Sequence, residues 1–252
     1  MGKFPDFIII GAMKSGTTAL WHNLNNHPDI SMSNNPDDPK KTSTEIRFWN
    51  NGKPYETWGN GIDWYKSLFD SDMVCGEKCA NYIESRVAMQ RISKHAPGTK
   101  IIICIREPSK RAYSEYQMQL RTKRGSHTGG FRKAMKDKGY LSRGNYFAMI
   151  QKNVLPYFDK NDIYIVVQED ISNNMDIELN KLYRFIGVKE CHLETAIVDE
   201  KDKDSRMTLN RKWHTSYDKM DDECCRFLKS FYKDKNANLF DFLGGEIQSW
   251  KN

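Results

Sequence analysis

The stretch Phe7-Ile8-Ile9-Ile10-Gly11-Ala12-Met13-Lys14-Ser15-Gly16-Thr17-Thr18 decides the fold. Its apolar run from Phe7 to Gly11 shows no alternation with polar residues, the pattern of a strand covered on both faces. Small residues then break the run, and Thr17 to Asn26 carries Ala19, Leu20 and Leu24 at helical spacing. The stretch therefore predicts strand, tight loop and helix. Gly11 and Gly16 let the backbone turn, and the N–H groups at the start of the helix can face an anion. Lys14, Ser15, Thr17 and Thr18 add donors to the same cradle. A phosphate-bearing ligand suits it, although a loop of this kind taken alone reads first as the plain turn between a strand and a helix.

The spacing Gly-x-x-x-x-Gly is that of the P-loop of nucleotide triphosphatases, but Thr17 stands where that motif has its lysine. Lys14 lies two residues before Gly16, so the charge of the cradle is relocated. Outward from this unit the β-α alternation continues. Ile30 to Met32 reads as a short strand, 33–42 as loop, and Trp64, Tyr65, Leu68 and Phe69 as a helical stripe in which the tryptophans Trp58 and Trp64 pack. Met73 to Lys78 is a strand with a polar exit, and Arg86 to His95 an amphipathic helix stopped by Ala96-Pro97-Gly98. Lys100 to Arg106 is a second strongly apolar strand ending in a charge, and Glu107-Pro108 opens a long helix with proline in its first turn. Gly144 to Phe158 has helical spacing, Ile163 to Val167 reads as a third buried strand, and 176–186 and 221–232 read as helices. In open α/β sheets ligands bind beyond the carboxyl ends of parallel strands, where Lys14, Lys78 and Arg106 all fall.

Composition narrows the class. The 252 residues suffice for one large domain spanning 1–252, with neither a repeat nor a low-complexity linker to divide it. Thirty-nine Lys and Arg against 33 Asp and Glu give a net charge of +6, which suits an anionic ligand without the dense basic character of a nucleic-acid binder. The apolar runs are too short to span a bilayer, and Gly2 lacks the downstream hydroxyl of a myristoylation signal. Six scattered cysteines (75, 79, 104, 191, 224 and 225) form no Cys-x-x-Cys pair and have no clustered histidines, so they read as reduced packing residues rather than zinc ligands. Together these features predict a soluble cytoplasmic chain with no membrane partner.

The phosphate loop from Pro5 to Thr18, the segment Glu45-Ile46-Arg47-Phe48-Trp49, the strand exit Glu77-Lys78-Cys79-Ala80-Asn81-Tyr82, and Arg106-Glu107-Pro108-Ser109-Lys110-Arg111-Ala112-Tyr113-Ser114-Glu115-Tyr116 occur in that order. In this the chain resembles the sulfotransferases that use 3′-phosphoadenosine 5′-phosphosulfate (PAPS), above all the branch of heparan sulfate glucosaminyl 3-O- and N-sulfotransferases. The resemblance covers nearly the whole chain. It implies an α/β, P-loop-like three-layer fold with a central, mostly parallel sheet flanked by helices.

The resemblance also implies roles. Lys14, Ser15, Gly16, Thr17 and Thr18 would bind the 5′-phosphosulfate end of the donor, and Arg106 and Ser114 its 3′-phosphate, with 3′-phosphoadenosine 5′-phosphate (PAP) as product. Glu45 would take the acceptor's proton, Lys14 would stabilise the bridging oxygen of the leaving group, and Lys78 would orient the sulfuryl group or the base. No metal is required. The acceptor would be a glycan or a small hydroxylated molecule, met by Arg47 and Trp49. Two departures bear on it. Members of the 3-O branch carry histidine and aspartate where this chain has Arg47 and Asn50. Extracellular members carry a disulfide in the loop over the nucleotide, whereas 199–210 holds no cysteine, so that either Lys201, Lys203 and Arg206 close over it or the stretch is a solvated loop. Two other classes remain open at this stage. A P-loop kinase would need a lysine directly after Gly16 and an acidic strand exit for magnesium, for which Glu169-Asp170 is the nearest match. A non-catalytic polyanion binder would use the basic stretch from Arg121 to Lys138.

Overall fold

The continuous apolar runs become the centre of a sheet. A computed structural model describes residues 2–34, 36, 44–50, 57–69, 72–122, 130–135, 138–191 and 219–251. In chain order the elements are β1 (Phe7–Gly11), α1 (Thr17–Asn25), β2 (Ile30–Met32), α2 (Gly61–Lys66), β3 (Val74–Lys78), α3 (Arg86–His95), β4 (Lys100–Ile105) and α4 (Pro108–Arg121). Then follow α5 (Gly130–Ala134), α6 (Lys138–Ser142), α7 (Tyr146–Met149), β5 (Ile163–Val167), α8 (Gln168–Asn173), α9 (Met175–Ile186) and α10 (Asp222–Leu243). The five strands form one sheet in the order β2-β3-β1-β4-β5, and every pairing is parallel.

Successive side chains of a strand point to opposite faces, so β1 feeds two cores at once. Ile8 and Ile10 enter a core with Tyr82, Met89, Tyr146 and Leu239, while Phe7 and Ile9 enter another with Leu20, Leu24, Leu182 and Tyr183. The helices α1 and α9 thus cover one face and α3, α7 and α10 the other, which gives the three layers expected from the sequence. Each fully buried isoleucine of β1 contributes about 2 kcal/mol. A third cluster of Ala112, Tyr116, Phe131, Tyr140, Leu228 and Tyr232 joins α4, α5, α6 and α10.

Strand order fixes the place of the site. The chain leaves β1 for β2 and β3 on one side, then crosses to β4 and β5 on the other. The switch therefore lies at the carboxyl end of β1, between those of β3 and β4, where an open α/β sheet leaves a crevice. Lys14, Lys78 and Arg106 follow or close those three strands.

Three sequence expectations change. Ile163–Val167 pairs with β4 alone and is mostly half-exposed, so it is an edge strand rather than a buried one. The span from Gly144 to Phe158 is no single α-helix: α7 passes into a π-turn over Ile150–Val154, where the Leu155 N–H bonds the Ile150 carbonyl five residues back at 2.9 Å. The closing helix continues past Tyr232 to Leu243, because Leu239 and Phe240 resume its apolar stripe beyond the polar run at 233–238, and Gly244 caps it at φ 80°.

Candidate active site

The loop after β1 is held by its neighbours. Ala12 N–H donates to the Cys104 carbonyl at 2.7 Å, fastening the loop to β4. A Cβ at Gly11 would lie 2.9 Å from the Ala80 carbonyl oxygen, so the exits of β1 and β3 approach closely only with glycine there. Lys14 (φ 70°) and Gly16 (φ 87°) both adopt the left-handed conformation, which costs Lys14 about 1 kcal/mol. Left-handed residues alternating along a loop turn its N–H groups toward one concavity. Gly16 is also the N-cap of α1 and offers no side chain to the first-turn N–H groups, which leaves them to an external acceptor.

The second half of the site gathers around Lys78. Its ammonium, only 3% exposed, lies 3.2 Å from Glu45 Oε1 and donates to Thr18 Oγ1 at 3.1 Å. One lysine thus joins the phosphate loop to the carboxylate. Glu45 Oε1 also accepts from Ala80 N–H at 3.3 Å, and Oε2 accepts from Arg47 Nε at 3.3 Å and Nη2 at 3.2 Å. Burial favours the neutral acid at Glu45, but Lys78, Arg47 and the Ala80 N–H outweigh it and hold the carboxyl below the usual range. Glu45 is therefore an anion at neutral pH.

At the exit of β4 the Arg106 guanidinium has a buried Nε with no hydrogen-bond partner among the described residues. A buried donor left unpaired is costly, and an anion in the crevice would satisfy it. Ser114, two turns into α4, is buried. The start of α4 is set by Glu107, whose carboxylate accepts from Ser109 N–H at 3.1 Å and Lys110 N–H at 2.8 Å. The helix is further fixed by the fully buried pair Arg111–Glu115 at 2.8 Å, to which Arg143 adds a contact of 2.6 Å with Glu115.

Several residues at the site carry no motif. Tyr146 Oη donates to the Arg106 carbonyl at 2.8 Å, accepts from Arg106 N–H at 3.3 Å and lies 3.4 Å from Ser15 Oγ, so it ties the phosphate loop to the β4 exit. Burial pushes its phenol up to about 12. His22 follows Thr18 by one helical turn and is half-buried near Lys78. Burial and the Lys78 charge lower its pKa to about 4, which keeps the imidazole neutral. The sequence signal for Tyr146 was the helical stripe it shares with Met149 and Ile150, which reads only as packing. Nothing in the sequence singled out His22.

Contacts thus join Thr18, Lys78, Glu45 and Arg47 in one network and Ser15, Tyr146 and Arg106 in a second, both reaching the loop that carries Lys14, Gly16 and Thr17, whereas Ser114 is placed only as a buried residue of α4. Trp49 requires correction as an acceptor contact. It is fully buried and its Nε1 donates to Tyr65 Oη at 2.9 Å, inside an aromatic cluster with Phe48 and Trp58. Asn50 Nδ2 donates to Asn81 Oδ1 at 3.1 Å. Lys203 and Arg206, with the whole stretch 199–210, lie outside the described residues, as does much of the basic run from Arg121 to Lys138. All six cysteines are free thiols. Glu169, weighed as a magnesium ligand, instead accepts from Glu107 N–H at 3.1 Å and Trp250 Nε1 at 3.0 Å.

A family model described as "Sulfotransferase domain" matches residues 4–251. The bifunctional heparan sulfate N-deacetylase/N-sulfotransferase 4 of Mus musculus is 30% identical over 284 residues, covering 98% of this chain and 31% of that protein. The corresponding enzyme 1 of Homo sapiens is 30% identical over 279 residues with the same coverages. The chain therefore spans about a third of the length of these curated relatives, 31% in each case. Among solved structures, a sulfotransferase from Alicyclobacillus acidocaldarius superposes with a TM-score of 0.75 at 22% identity, covering 99% of this chain and 100% of that one. Mouse sulfotransferase SULT7A1 complexed with PAP superposes with a TM-score of 0.58 at 14% identity, covering 93% of this chain and 84% of that one. These structural likenesses concern the fold.

Proposed function

The chain belongs to the sulfotransferase-domain family, and from that premise we propose that it moves a sulfuryl group from PAPS to an amine or hydroxyl of a carbohydrate, with Glu45 as general base. The observation that carries this reading is Lys78 Nζ, placed 3.1 Å from Thr18 Oγ1 of the phosphate loop and 3.2 Å from Glu45 Oε1. A donor seated in the loop and an acceptor at Glu45 would then meet across one ammonium, which in-line transfer requires.

The residues fit the nucleotide. The left-handed cradle at Lys14 to Gly16 and the open start of α1 suit the 5′-phosphosulfate. The unpaired Arg106 Nε and the buried Ser114 suit the 3′-phosphate. The PAP in the mouse structure supports the same nucleotide. When bound, PAPS supplies the sulfuryl group and a phosphate leaving group. Lys14 and Lys78 then offset the charge that develops on the leaving oxygen, and preorganised charges of this kind supply a large part of such catalysis. Glu45, already ionised, takes the acceptor's proton as the acceptor commits its lone pair to sulfur. The names of the curated relatives, heparan sulfate N-deacetylase/N-sulfotransferases, favour a heparan-type glycan sulfated at nitrogen. We read 1–252 as one such domain.

The test uses the purified chain, [35S]PAPS and an N-deacetylated heparosan oligosaccharide. Wild type should label the glycan, and Glu45→Gln should keep PAP affinity while losing about 10² to 10⁴-fold in turnover. Full activity of Glu45→Gln would remove it as base. Absence of calorimetric PAP binding by wild type would remove the whole reading.

A further inference from the structure

Glu45 has little capacity left for a new proton. Lys78 Nζ and Ala80 N–H occupy Oε1 at 3.2 and 3.3 Å, and the Arg47 Nε and Nη2 occupy Oε2 at 3.3 and 3.2 Å. A base must present a lone pair to the group it deprotonates, so one of these donors has to withdraw before transfer. The donors differ in their exposure. Lys78 is 3% exposed and also bonded to Thr18, and the Ala80 N–H is backbone, whereas the Arg47 side chain is 33% exposed. Arg47 also stands in the left-handed conformation (φ 63°) between the buried Ile46 and Phe48, so its side chain leaves a backbone held on both sides.

Arg47 is the more exposed member of the pair, so water reaches its guanidinium and an equivalent anion offered there can take the place of Glu45. The planar guanidinium fork that grips the Glu45 carboxylate fits a second carboxylate equally well. We propose that Arg47 latches Glu45 and that a carboxylate on the acceptor, next to the reacting amine or hydroxyl, draws the guanidinium away and so frees the base. The inference rests on Glu45 being that base. It gives the enzyme a preference for acidic acceptors and a guard against water. In the guarded reaction a water oxygen would bond to sulfur, the bond from sulfur to the bridging phosphate oxygen would break with its electron pair on PAP, and the water's proton would pass to Glu45.

Arg47→Gln separates the latch from a merely structural ion pair. The probes are N-deacetylated heparosan oligosaccharide and its carboxyl-reduced counterpart. Wild type should favour the acidic probe by about tenfold in kcat/KM. In Arg47→Gln that preference should fall to about twofold, chiefly through faster transfer to the reduced probe. Acceptor-free release of sulfate from PAPS should rise about fivefold, and the rise should vanish when Glu45→Gln is added. Calorimetry on the nucleotide-free protein should show tighter binding of the acidic probe to wild type and equal binding of both probes to Arg47→Gln. An undiminished preference in the variant, or PAPS hydrolysis that stays level or falls, overturns the latch and leaves the proposed function standing. A wild type that binds PAP but transfers to neither probe, or binds no PAP, overturns the latch together with the acceptor or nucleotide reading.

Discussion

Replacing Glu77 by Gln should make the protein's stability less sensitive to pH. Glu77 is fully buried on β3, on the face opposite Lys78. Tyr65 Oη donates to its Oε1 at 2.8 Å, and Oε2 has no hydrogen-bond partner among the described residues. Burial pushes the carboxyl up to about 8, with the Glu45 charge adding to the rise and the Tyr65, Tyr82 and Trp49 groups pulling it back. The native state therefore holds a proton there that the unfolded chain, at an ordinary value of 4.5, releases. Stability from this group is complete below pH 4.5 and declines as pH rises toward 8. At about 1.4 kcal/mol per pH unit, the decline between pH 5 and 7.5 is roughly 3 kcal/mol. Glutamine matches the shape of the neutral acid and does not titrate. Urea unfolding of both proteins across that range cancels every shared group, so the variant should gain about 3 kcal/mol on wild type from pH 5 to 7.5. A difference that stays constant within about 0.5 kcal/mol would show that Glu77 is ionised in the fold and refute the reasoning.

Two other substitutions probe the nucleotide cradle. Arg106→Ala should weaken PAP by about 10²-fold in calorimetry and leave the affinity for AMP, which lacks the 3′-phosphate, nearly unchanged; equal losses for both ligands would move Arg106 away from that phosphate. Tyr146→Phe leaves the Arg106 carbonyl without its 2.8 Å partner, and should cost about 2 kcal/mol in urea unfolding together with about a tenfold loss of PAP affinity. Unchanged PAP affinity would confine Tyr146 to a packing role.

The sequence showed strands whose environment leaves a signature and missed what depends on neighbours in space. Phe7–Gly11 and Lys100–Ile105 are buried on both faces and carry continuous apolar residues for that reason. Ile163–Val167 has the same composition but ends the sheet, and strand order is not written in any single strand. The segment from Glu45 to Trp49 belongs to no helix or strand, so no period told which of its side chains turn inward. In the fold Ile46, Phe48 and Trp49 are buried while Glu45 and Arg47 face the crevice, which removes Trp49 from the acceptor side. Tyr146 was legible as apolar packing, but its polar role depends on Ser15, 131 residues away.

The relocated lysine of the phosphate loop acquires its meaning from Lys78. In a P-loop of the triphosphatase kind one lysine, rising from the helix start, serves the transferred group. Here Thr18, just beyond the position that lysine would hold, accepts a hydrogen bond from Lys78, a residue delivered by the adjacent strand β3. Because β3 lies next to β1 on the side toward Glu45, the same ammonium also reaches the carboxylate. A second lysine on the neighbouring strand, beside Lys14 in the loop, therefore does more than add a charge next to Thr18. In the proposed reaction the basicity of Glu45 would depend on the cation that serves the donor, since Lys78 is the first of the charges that depress its pKa. A helix-borne lysine after Gly16 would serve the donor alone, and the acceptor's base would have to be set separately.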